Sequence, residues 1–195
     1  MDLPIYELLI EDKEADDAEV SYVALVDKPA IQRDFIAFKE ATKFQVVSET
    51  EHILSGPLMI ADQLIYRNND KFGEHYVKFS TDTIKSIAIK FAKKGFQKNV
   101  NIMHEASMQV EGVTMFESFI VDKKRGIMPM KGFEDVADGS WFGSFYVENE
   151  EVWNAVKDGN LKGFSVEGLF DYVKPKMTAE KMIEKLSALL NVTIE

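Results

Sequence analysis

Apolar residues in this chain come in short runs, each closed by an acidic, proline- or glycine-containing break, and this punctuation limits the fold more than any other feature. A run too short for a helix buries its side chains as a strand, above all where β-branched and aromatic residues dominate. Residues 3–10 (Leu-Pro-Ile-Tyr-Glu-Leu-Leu-Ile) and 20–27 (Val-Ser-Tyr-Val-Ala-Leu-Val-Asp) have this character. Further strands are predicted over 34–39, 44–48, 53–60 and 63–66, with Gly56-Pro57 bending the one that contains it. The first third of the chain is therefore expected to be mostly β.

Helical periodicity enters later. Ser80 or Thr81 can cap a helix whose apolar face is Ile84, Ile87, Ala88 and Phe91, ending at Lys93, Lys94 and Gly95. Strands over 99–104 and 110–121, separated by a turn at 106–109, suggest a hairpin that leaves His104 near a strand end. Residues 141–147 alternate as a strand, Asn149 can cap a short helix carrying Val152, Trp153 and Val156 to a stop at Gly159, and a last strand covers 163–172. Pro175 breaks the pattern. Beyond it, 177–190 reads as an amphipathic helix with Met182, Ile183, Leu186, Leu189 and Leu190 on one face. The expected organisation is one domain over 1–174 and a linker with an amphipathic helix over 175–195.

Composition decides which partners to expect. With 46% hydrophobic residues and 14 Phe in 195, the chain has the material to offset the conformational entropy lost on folding. Its formal charge is −10 and its densest basic cluster is only Lys123-Lys124-Arg125, so nucleic acid is not an expected partner. The acidic run Glu11, Asp12, Glu14, Asp16, Asp17, Glu19 reads as a solvated loop. Absence of cysteine excludes disulfides and thiolate chemistry and fits a reducing compartment. No signal-peptide pattern or membrane-length apolar run is present, so a soluble, intracellular protein with no membrane partner is expected.

Nucleophilic chemistry is the sharpest candidate. A serine hydroxyl needs a base within roughly 3 Å to take its proton, and usually a third group to orient that base. The histidines are His52, His75 and His104. His52 follows Glu51 in a polar stretch, and His75 sits in a segment that reads as a loop, so both are expected at the surface. His104 closes an apolar strand and, taken alone, is an ordinary hydrogen-bonded strand-end residue. No two histidines stand at i, i+3 or i, i+4, so no metal site is expected and no cofactor is called for. Ser165 lies in Leu161-Lys-Gly-Phe-Ser-Val-Glu-Gly168, where glycines give a substrate access to backbone N–H donors. Glu167 occupies the position that a nucleophile elbow gives to glycine, so that motif is absent.

The ordered segments Gly56-Pro57-Leu58-Met59-Ile60, Ile65-Tyr66-Arg67, Lys93-Lys94-Gly95-Phe96, Val100-Asn-Ile-Met-His104, Glu117-Ser-Phe-Ile-Val121, Gly139-Ser-Trp141 and Leu161–Gly168 have a common precedent. Together they resemble the prohead maturation proteases of tailed phages, relatives of the herpesvirus assemblins, over roughly residues 18–173. The resemblance implies an α+β fold, mostly an antiparallel β-barrel with a few peripheral helices. It makes Ser165 the nucleophile and His104 the general base of a serine endopeptidase. Many of these proteases carry a Glu-Val-Ser-hydrophobic-Val…Pro-Ala strand after the serine, whereas here Glu19-Val-Ser-Tyr-Val…Pro29-Ala30 precedes the histidine, which looks like a circular permutation. The third member is then Glu19 if it sits on that strand, or Glu117 if it sits on a hairpin partner of the His104 strand; either glutamate alone is an ordinary solvated residue.

The implied substrates are the internal scaffold, the delta segment of the major capsid protein, and the protease itself, cleaved inside the assembling prohead in the host cytoplasm. The terminal helix would be a scaffold-like tether or a self-association surface, giving a homodimer or higher oligomer. Two other readings stand beside this one: a catalytically inactive capsid-assembly or scaffolding protein of the same fold, and a binding domain in which His104 and Ser165 are ordinary strand residues.

Overall fold

From Val23 onward the strand Val20–Val26 (β2) has no polar alternation, the mark of a strand covered on both faces. In the computed structural model, which describes residues 3–10, 20–27 and 44–174, Val23, Ala24 and Leu25 are fully buried. β2 is the middle strand of a three-stranded sheet, antiparallel to Gly163–Gly168 (β10) and parallel to Val100–Ile102 (β7). Trp141–Val147 (β9) has a similar place in a second sheet, ordered Gln45–Ser48 (β3), Ile53–Met59 (β4), β9, Val113–Ile120 (β8). The third sheet runs Asp171–Val173 (β11), Ile5–Leu9 (β1), Gly73–Lys78 (β6), Ile65–Asn69 (β5), with β1 parallel to β6.

The α+β class with mostly antiparallel pairing holds; the closed barrel does not. Closure needs an unbroken ladder around the ring. Among the described residues β10 has one ladder neighbour, β2, while both edges of β4 are filled by β3 and β9, so β10 packs against β4 without extending its sheet. The expected hairpin between the His104 strand and the next strand is also absent. β7 and the chain after it share only the bridge Asn101 to Gln109, and β8 pairs with β9. The single strand expected over 163–172 splits after a bulge at Gly168, its second half crossing to β1 in another sheet. The expected strand at 34–39, the acidic run at 11–19 and the helix at 177–190 lie outside the described residues.

The two expected helices that lie among the described residues form for the reasons legible in their ends. In Thr81–Lys94 (α1) the Ser80 hydroxyl accepts from the Thr83 N–H, Gly95 closes the helix in the left-handed conformation, and Asp82 and Lys93-Lys94 sit at the dipole ends that favour them. Its buried Ile84, Ile87 and Phe91 contribute about 1.5–3 kcal/mol each, with Phe91 edge-on to Trp141. In Glu150–Lys157 (α2) the Asn149 side chain accepts from Glu151 and Val152, and Val152, Trp153 and Val156 are buried.

Candidate active site

Three residues on three strands make one row across the β10-β2-β7 sheet: Ser165 lies opposite Ala24, and Ala24 lies opposite Asn101. The alanine keeps the middle of the row low. Because side chains two apart on a strand share a face, Ser165 and Glu167 project together.

His104 reaches this face by leaving its strand. β7 ends at Ile102, after which Met103 and His104 both take positive φ, 56° and 61°. Two successive non-glycine residues in the left-handed region cost roughly 1–2 kcal/mol each. The turn is over-determined by hydrogen bonds from Met103 N–H to the Leu25 carbonyl and from Glu105 N–H to the Ile102 carbonyl, both 3.1 Å. Val110 then returns to β7 by donating to the Val100 carbonyl at 2.9 Å.

Ser165 and His104 both line a cleft of about 670 Å³. Met59, Ile65, Phe79 and Phe170 give it apolar surface, and Asp27, Arg67 and Glu167 give it charge. Burial lowers the pKa of the Arg67 guanidinium, partly offset by the field of Tyr172. Ser165 is 8% exposed, and its hydroxyl makes no hydrogen bond among the described residues. The imidazole Nδ1 of His104 lies 3.6 Å from Glu167 Oε2, and that oxygen also accepts from Asn101 Nδ2 at 2.6 Å. No direct hydrogen bond joins Ser165 to His104 among the described residues, as is common in a free enzyme before substrate tightens the contact.

The other histidines are accounted for elsewhere. His52 stacks on Trp153 with ring centres 4.4 Å apart. His75 corrects the expectation of a surface loop residue: it lies on β6, fully buried, its Nδ1 2.7 Å from the Gly73 carbonyl and its ring edge-on to Tyr6, Phe72 and Tyr172. Glu117 is exposed on β8 opposite Ser144 and does not line the cleft; the hairpin that would carry it beside His104 is the one that does not form. Glu19 lies outside the described residues, although the strand that follows it runs directly beside β10.

The acidic residue that the structure does bring to His104 is Glu167. In the sequence it registers only as the residue that breaks a nucleophile elbow, yet period-two alternation places it on the Ser165 face. Asn101 carries no signal in the sequence, since its contact depends on how β7 and β10 flank β2.

A family model described as "Putative phage serine protease XkdF" matches residues 59–174, more than half of the chain. The chain belongs to this family of phage serine proteases. The matched span includes Asn101, His104, Ser165 and Glu167 and begins beyond Glu19. No curated protein and no solved structure matches the chain. Within the matched span several polar residues serve packing. Ser140 accepts from Ala61 N–H and donates to the Ala137 carbonyl, and the Trp141 indole N–H donates to Ser118 Oγ.

Proposed function

We propose that this phage serine protease is the endopeptidase that matures a prohead, with Ser165 as nucleophile and His104 as general base. The observation that carries the reading is that a serine on β10 and a histidine beyond β7, far apart in sequence, line the same cleft, the serine hydroxyl having no hydrogen-bond partner among the described residues. His104 takes the Ser165 proton as Oγ bonds to the peptide carbonyl carbon, then returns it to the leaving amine as the C–N bond breaks, leaving an acyl-enzyme. Water, deprotonated by the same imidazole, bonds to the acyl carbon and releases the new carboxyl end and the free serine. The cleft's apolar walls suit the side chains of an extended peptide.

The substrates in this reading are the scaffold, the delta segment of the major capsid protein and the protease itself, cut within the assembling prohead. Residues 175–195 would tether the enzyme there or join it to a second copy, and the pairing of β2 with the serine strand supports an assemblin-like, permuted core. Ser165→Ala should abolish cleavage of co-expressed scaffold and capsid protein, a loss on the order of 10⁴-fold or more, while leaving the unfolding midpoint within about 0.5 kcal/mol of the parent. Mass spectra of the products read the first quantity and denaturant titration the second. Unchanged cleavage in the variant would sink the assignment.

A further inference from the structure

We infer that Glu167, held in place by Asn101, is the positioning residue that orients the His104 imidazole for proton transfer. This rests on the Ser165–His104 reading above and supplies the third member that the sequence leaves between Glu19 and Glu117.

Three observations carry it. Glu167 Oε2 lies 3.6 Å from His104 Nδ1, and a carboxylate at Nδ1 favours the tautomer with its proton there, leaving Nε2 unprotonated to receive a proton from a serine. The same oxygen accepts from Asn101 Nδ2 at 2.6 Å, a short charge-assisted bond that fixes the carboxylate. Asn101 is 1% exposed and its Oδ1 has no hydrogen-bond partner among the described residues.

The last observation separates positioning from mere stability. A buried amide with an orphaned acceptor costs the fold the desolvation of that oxygen, and a leucine of similar branched shape would avoid it. What Asn101 supplies in return is a donor aimed at Glu167. Asn101 can make that contact because Ala24 stands between it and the serine strand, two strand spacings or roughly 9.5 Å across, and a methyl group leaves the space above β2 open. A larger residue at 24 would fill the path between them. His104, meanwhile, has its backbone held by the positive-φ turn, so the ring's remaining freedom is the side-chain torsions that Glu167 restrains.

The test uses the full chain and a fluorophosphonate probe, which reports nucleophile activation without a known peptide substrate. The Ser165 Oγ–P bond forms, the P–F bond breaks, fluoride leaves, and the hydroxyl proton passes to His104. Glu167→Gln should lower the maximal labelling rate by about 10²–10⁴-fold with the probe's half-saturating concentration changed by no more than about twofold, and Glu167→Asp should recover part of the rate. Asn101→Leu should lower the rate in the same direction while folding at least as stably as the parent. Nitrogen-15 spectra of the imidazole, taken without probe, should show His104 protonated at Nδ1 in the parent and redistributed between the nitrogens in Glu167→Gln.

A Glu167→Gln protein labelled at the parental rate, with Ser165→Ala unlabelled, would overturn the role of Glu167 and leave the protease reading intact. If the parent itself takes no label at Ser165, the protease reading falls. The imidazole spectra then decide the Glu167 contact alone, and identical spectra in parent and variant would overturn it.

Discussion

Two buried serines, one beside Gly139 and one two residues after Gly163, have opposite surroundings. Ser140, fully buried between Gly139 and Trp141, accepts at 3.1 Å from the Ala61 N–H and donates at 2.7 Å to the Ala137 carbonyl, so its hydrogen-bonding capacity is used inside the protein. Ser165 is nearly as buried, yet its hydroxyl faces the cleft and makes no hydrogen bond among the described residues. The difference teaches that a glycine-serine segment can persist for packing or for chemistry, and that hydrogen-bond satisfaction tells which. A hydroxyl engaged as donor and acceptor holds two elements together; one left open is available to lose its proton.

The contrast predicts that substitutions in the two regions separate stability from activity. The largest effect on stability should come from Gly139→Ala. Gly139 has φ +84°, and an added Cβ would lie 2.5 Å from Thr81 Cγ2 and 3.2 Å from the Thr81 Cα, on the first residue of α1. Left-handed strain and overpacking together should cost about 2–4 kcal/mol in a urea titration, with catalytic turnover per folded molecule unchanged. If turnover fell with stability, the two regions would not be independent.

Ser140→Ala should cost less, about 1–3 kcal/mol, because it strands the buried Ala61 N–H without filling or emptying much space. The matching change at Ser165 should leave stability nearly untouched, and a loss of similar size there would contradict a hydroxyl that makes no hydrogen bond among the described residues.

The smallest effect is electrostatic and remote from both serines. Asp122 accepts from the Arg125 side chain and, second, from its backbone N–H, and these bonds hold its carboxyl below the usual carboxylate range. A carboxyl with a depressed folded-state pKa contributes stability that is present above its unfolded pKa and lost as pH falls through the folded value. Asp122→Asn should therefore lower stability slightly at neutral pH, leave the low-pH end nearly as it was, and so flatten the acid side of the profile, as read from urea midpoints from neutral to acidic pH. An acid side that steepened would contradict that sign.

Much of the architecture was legible because it is written locally. Caps at Ser80 and Asn149, the stops at Gly95 and Gly159, and the short β-branched and aromatic run of β2 each depend on neighbours a few residues away, and each formed as expected. What failed was pairing. The hairpin expected between the His104 strand and the next assumed that consecutive strands meet, but β7 found β2 and β8 found β9, so Glu117 ended on a different sheet from the histidine. His75 was misread for a related reason: its polar sequence neighbours suggest a loop, while its ring is buried among Tyr6, Phe72 and Tyr172, residues brought to it from β1, the β5–β6 turn and β11.

By itself, then, the sequence determined most of the segments that become strands, the caps and stops of the two described helices, and that Ser165 and His104 were the pair worth testing, since local propensity and motif order survive without tertiary contacts. Only the tertiary structure decided that the pair shares a cleft, that Ser140 is structural while Ser165 is open, and that the carboxylate beside His104 is Glu167. Those outcomes depend on the order of strands across a sheet, and strand order is set by long-range burial that no short window of sequence contains.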